Sequence, residues 1–110
     1  MGAKYIQDDD SVDYTPGSNV TAGDVVVQGD LVGVAKLDIA AGRLGALAVE
    51  GVFDFPKSTA GGSAIAVGTT VYWNAGAQQA TATSAGNKLL GKTIKAAVDA
   101  DTTVRVRLFQ

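Results

Sequence analysis

Leu47-Ala-Val-Glu-Gly-Val-Phe-Asp-Phe-Pro56 is the stretch that decides the fold class. Leu47, Val49, Phe53 and Phe55 recur at period two on one face, with Gly51 between them. Ala48, Glu50, Val52 and Asp54 take the other face. That alternation marks a half-buried β-strand. Two of the chain's three phenylalanines lie on the apolar face, which places the strand near the middle of the core. Pro56 has no amide proton for a sheet ladder, so the strand is expected to stop there. Gly51 is expected to mark a bulge or the close approach of another backbone.

Working outward, the predicted strands are 24–28, 31–36, 45–55, 70–74, 79–83, 88–97 and 102–108. Gln28-Gly-Asp30 and Asn74-Ala-Gly-Ala77 read as hairpin turns. The last strand points Val104, Val106 and Leu108 inward and Arg105 and Arg107 outward. One phrase recurs: Val20-Thr-Ala-Gly-Asp-Val25, Ile39-Ala-Ala-Gly-Arg-Leu44, Ile65-Ala-Val-Gly-Thr-Thr-Val71 and Val98-Asp-Ala-Asp-Thr-Thr-Val104. Its glycine, or Asp101 in the fourth copy, suits the positive φ of a turn. The copies are unevenly spaced, which excludes a fixed-period solenoid. They read as one turn-into-strand solution used four times in an all-β barrel or sandwich. No segment holds a 3.6-residue apolar period long enough for a substantial helix. Residues 57–63 read as a mobile glycine-rich loop.

Residues 1–19 read as an N-terminal arm and 20–110 as a single β domain. Within the arm, 4–7 and 11–14 are candidate short strands, and Thr15-Pro-Gly-Ser-Asn19 is a dense turn cluster. The arm cannot bury Tyr5 and Ile6 by itself. It either docks as an added strand on a partner or folds back to complete the domain.

Composition narrows the function. With 110 residues the chain is one domain, and a domain this small buries only about two thirds of its unfolded surface. The formal charge is −2 with no basic face, so nucleic-acid binding is not expected. There is no cysteine and no histidine. That removes disulfides, thiol chemistry, the commonest general base and the commonest zinc ligand. No secretory signal or membrane span is expected, and position 6 is Ile where a myristoylation site wants Ser or Thr.

Four features invite a chemical reading. Gly86-Asn-Lys-Leu-Leu-Gly-Lys-Thr93 fits the phosphate-cradling G-x-x-x-x-G-K-[ST] pattern. A phosphate loop must follow a buried parallel strand and open a helix. Here the upstream residues are weakly polar and a turn follows soon after, so the expectation is a strand with Leu90, Ile94 and Ala96 in the core and solvated lysines. Asp8, Asp9 and Asp10, with Asp13, offer oxygens to a hard cation, but without EF-hand spacing they read as a solvated acidic turn. Tyr72 and Trp73 offer a sugar-stacking platform, although a tryptophan on a short strand is more often a core anchor. Arg105 and Arg107 offer an anion clamp, or a charged edge that resists aggregation. No catalytic residue, cofactor site or metal site is assigned.

The order of Gly23-Asp-Val-Val-Val27, Leu31-Val-Gly-Val-Ala35, Ala48-Val-Glu-Gly-Val-Phe53, Phe55-Pro-Lys57, Gly68-Thr-Thr-Val-Tyr-Trp-Asn74, Gly86-Asn-Lys-Leu-Leu-Gly91 and Asp101-Thr-Thr-Val-Arg-Val-Arg-Leu108 resembles a family of small phage and prophage proteins. Its characterised members are capsid decoration, or cement, proteins. The recombinase label that some members carry has no support in these residues. The resemblance implies a β-barrel or β-tulip-like fold and a homotrimer. It places that trimer on the outside of an expanded head, at three-fold and quasi-three-fold positions of the major capsid protein. It implies synthesis in the bacterial cytoplasm and no enzymatic activity. Lys4, Tyr5, Ile6 and Gln7 of the arm are the candidate capsid contacts. The competing reading is a carbohydrate- or receptor-binding β module, and behind it a nucleotide-binding protein.

Overall fold

In the computed structural model, which describes residues 11–109, the alternating stretch is two strands rather than one. β4 covers Gly45–Ala48 and β5 covers Gly51–Pro56. Between them the chain leaves one sheet and enters another. Gly51 takes φ 132°, which side-chain-bearing residues rarely adopt. Leu47 and Phe55 are both buried, as the alternation predicts, but they serve different sheets. Periodicity ran through the junction because it records which face is apolar, not which sheet that face covers.

The remaining strands are β1 (Ser11–Tyr14), β2 (Val25–Gln28), β3 (Leu31–Ala35), β6 (Thr70–Asn74), β7 (Gln79–Thr81), β8 (Lys88–Thr93) and β9 (Thr103–Leu108). They form two sheets, both antiparallel: a four-stranded one in the order β1-β4-β3-β2 and a five-stranded one in the order β5-β9-β8-β6-β7. The two ends of the larger sheet also meet, because Lys57, just past β5, makes a single parallel bridge with Ala80 of β7. The domain is therefore a small all-β unit with one sheet rolled round until its edges touch. β2 and β3 close over the rolled sheet. Val32 and Val34 join Phe55, Val71, Trp73, Leu90, Val104, Val106 and Leu108 in one core, with Val25, Val27 and Phe53 packed against it. Each large side chain fully buried there contributes about 1.5–3 kcal/mol.

The recurrent phrase is explained by pairing. Val20 bridges Ile39, and Ile65 bridges Ala97, each with two backbone hydrogen bonds of 2.8–2.9 Å. In the first pair the caps are reciprocal. The Ala22 amide donates to Asp38 Oδ1 at 2.7 Å, and the Ala41 amide donates to Asn19 Oδ1 at 2.9 Å. Gly23, Gly42 and Gly68 take the expected positive φ. The fourth copy is registered one residue earlier than the sequence suggests. Its bridging residue is Ala97, not Val98, and Asp101 is not in the positive-φ region. Asp101 instead accepts from the Val98 amide at 3.0 Å, as Asp24 accepts from the Thr21 amide at 2.9 Å. Aspartate caps the turn from one position after the glycine.

β8 stops at Thr93, four residues short of the expected end. Leu90 is fully buried, but Ile94 and Ala96 are exposed, against expectation, because the chain bends away after Thr93. Residues 11–14 of the arm follow the fold-back reading and pair with β4, Ser11 opposite Ala48 and Tyr14 opposite Gly45.

Candidate functional surface

The phosphate-loop pattern lies on a strand. Lys88 to Thr93 run antiparallel to both β6 and β9, and no helix follows among the described residues. Gly91 and Thr93 of the motif have structural reasons. A Cβ on Gly91 would fall almost on top of the Arg107 carbonyl oxygen, so β8 and β9 reach their observed separation only with glycine there. Lys92 is solvated. Buried Thr93 accepts from the Thr69 amide at 3.0 Å and donates to the Ala66 carbonyl at 2.7 Å, clamping the turn before β6.

Val71 and Trp73 point inward and Tyr72 and Asn74 lie on the other face, as the alternation predicts. Trp73 is 3% exposed and stacks obliquely on Phe55, ring centroids 6.0 Å apart. It anchors the core and offers no free face to a sugar. Arg105 is not free to clamp an anion, because it grips Asp54, its partner directly across the β5–β9 ladder, at 2.9 and 3.1 Å. That bidentate contact holds the Asp54 carboxyl below its usual pKa, and the same contact raises Arg105. Arg107 stacks over Phe109 at 5.3 Å. Lys88 pairs with Asp30 at 2.8 Å, joining the β2–β3 turn of one sheet to the start of β8 in the other. Lys4, Tyr5, Ile6 and Gln7, like Asp8, Asp9 and Asp10, lie outside the described residues. Asp13 is exposed, and no group of three potential metal ligands occurs among the described residues.

Sequence reasoning missed Lys57. It is 3% exposed, and its ammonium donates to the carbonyls of Ser58, Val98, Asp99 and Asp101 at 2.7–3.2 Å and to Ser63 Oγ at 3.3 Å. The cage ties the end of β5 to the 58–63 loop and the 97–101 turn, so the residue expected to open a mobile loop pins it. The signal was available: Phe53, Phe55 and Lys57 continue one period-two face inward.

Exposed apolar side chains gather in two places among the described residues. The outward face of the rolled sheet carries Val52, Leu89 and Phe109, 53%, 38% and 55% exposed, with Lys92 and Arg107 between them. Elsewhere Leu37 and Leu44 stand out at 76% and 71% beside an open cleft of about 740 Å³.

A family model described as phage cement protein matches residues 6–108. The chain belongs to the phage cement protein family. Comparison with curated proteins and with solved structures finds no match. Membership of the cement family accounts for the order of phrases along the chain and indicates a structural part associated with the phage capsid. In this cement-family chain no helix among the described residues is long and apolar enough to cross a membrane.

Proposed function

We propose that the chain decorates the outer surface of a phage head as a homotrimer and stabilises the lattice of major capsid protein. The observation that carries this reading is the family match across nearly the whole chain. The surface supports it. The most suggestive chemical motif is a structural strand, the tryptophan is internal, and exposed apolar residues remain on two faces. In this reading Lys4, Tyr5, Ile6 and Gln7 meet the capsid subunit, while Ser11–Tyr14 stays paired to β4 and anchors them. The test is addition of purified protein to expanded heads lacking their decoration protein. Saturable co-sedimentation at a fixed number of copies per capsid subunit is expected. Protein left wholly in the supernatant overturns the proposal.

A further inference from the structure

β2 is an outer strand of the four-stranded sheet, with β3 on one side and no strand on the other among the described residues. The ends of the larger sheet, by contrast, meet at Lys57 and Ala80. We infer that the open side of β2 pairs antiparallel with β2 of a second copy, about a two-fold axis through Val26.

The main chain points that way. The Ala35 amide donates to the Asp24 carbonyl at 3.0 Å, and Gln28 lies opposite Leu31 across a two-residue turn. Alternation along the strand then turns the amides and carbonyls of Val26 and Gln28 toward β3, and those of Val25 and Val27 away from it. Beyond the β2–β3 ladder, no backbone hydrogen bond joins Val25 or Val27 to another described residue. Edges of this kind are commonly guarded by lysine, proline, a bulge or an inward-pointing charge. β2 reads Val-Val-Val-Gln in unbroken register with β3 and has none of these. The acids that flank it are committed within the chain. Asp24 accepts from the Thr21 amide at 2.9 Å, and Asp30 pairs with Lys88 at 2.8 Å.

The edge is complementary to itself. Setting Val25 opposite Val27 of the second copy, and Val27 opposite its Val25, satisfies two donors and two acceptors on each side. Val26 then meets its own counterpart at the close, non-hydrogen-bonded position, with Cα atoms about 4.5 Å apart. Asp24 falls opposite Gln28, so no like charges face each other. Val25 and Val27 pack against the core, which leaves Val26 and Gln28 on the other face. Four residues a side bury far less than the roughly 1,200 Å² of a stable interface, so the contact is weak between free chains and gains strength where copies are held side by side. A two-fold contact cannot recur within a three-fold ring. Its place on a head, joining one trimer to the next, rests on the proposed function; the pairing itself does not.

The test therefore uses the free chain. The chain has no cysteine, so the single-cysteine variants V26C, Q28C and V52C report one position each. At millimolar concentration under mild oxidation, V26C is expected to form disulfide-linked dimers severalfold faster than the other two. The register sets the two Gln28 positions about 14 Å apart, and Val52 is exposed on the other sheet. In ¹⁵N-labelled parent chain, raising the concentration from micromolar to millimolar is expected to shift the Val25 and Val27 amides most, and Val26→Lys to abolish that shift. Equal rates for V26C and Q28C mean chance collision and overturn the inference. Val25 and Val27 amides already protected from solvent exchange at micromolar concentration show an edge covered by the chain itself, which also overturns it. So does a concentration series that leaves both amides unmoved. None of these outcomes decides whether heads are decorated.

Discussion

Gly91 and Lys92 sit side by side, and the two readings of Gly86–Thr93 assign them opposite importance. A nucleotide loop needs the lysine; the observed β8 needs the glycine. Gly91→Ala is expected to destabilise the domain by about 3 kcal/mol, since the clash is with the backbone of β9 rather than a movable side chain. Lys92→Ala, on the solvated side, is expected to stay within about 0.5 kcal/mol of the parent. Urea unfolding followed by the fluorescence of buried Trp73 measures both. Lys57→Met keeps the stem but leaves several carbonyls without their donor, and should cost about 2–3 kcal/mol in the same assay. These positions also mark where residue-level reading succeeds and fails. The false motif could be judged from context, because a phosphate loop demands a helix that the sequence does not supply; the need for Gly91 could not, because the Arg107 carbonyl that excludes a Cβ belongs to another strand. Lys57 was assigned to a loop because Pro56 was expected to end the strand and a glycine-rich run follows. Only the turns at 58–63 and 97–101, far apart in sequence, build the cage that makes its burial tolerable.

At the scale of elements, alternation located most strands to within a residue or two but ran β4 into β5 and carried β8 four residues too far, and the hairpin turns read at 28–30 and 74–77 do join β2 to β3 and β6 to β7. What alternation could not show was sheet membership. Nothing local to Val49-Glu50 says that β4 pairs with β1 and β3 while β5 pairs with β9. The fourth phrase slipped for a related reason: Ala97 and Val98 are equally plausible apolar residues, and the bridge to Ile65 chooses between them. Truncation tests the β1–β4 ladder: a chain starting at Thr15 loses it, and about 2–4 kcal/mol relative to one starting at Ser11. The Asp54–Arg105 cross-strand pair gives β5–β9 a modest acid dependence. Because the folded state lowers the Asp54 pKa, its contribution is fully present above the unfolded value of 3.8 and is lost as pH falls through the lower, folded value. The stability difference between parent and Asp54→Asn should therefore hold from neutral pH down to about pH 5 and shrink below about pH 4. A difference that grows on acidification contradicts the assignment. The effect is small, since both side chains are nearly half exposed.

For the whole molecule, the phosphate-loop pattern, Trp73 and Arg105 are accounted for as architecture, while apolar side chains stay exposed on two faces of the described residues. Family membership says what kind of object such a surface belongs to. Neither the strand pattern nor the core composition by itself points to a capsid, because both report how the chain packs on itself and not what its surface meets. The most direct test of that account is a cryo-electron microscopy map of expanded heads incubated with the purified chain. The account predicts trimeric density on the outer surface at the three-fold and quasi-three-fold positions, with Lys4–Gln7 of each copy running onto a capsid subunit. Heads that remain bare at saturating protein, or density confined to the inner surface, would contradict it.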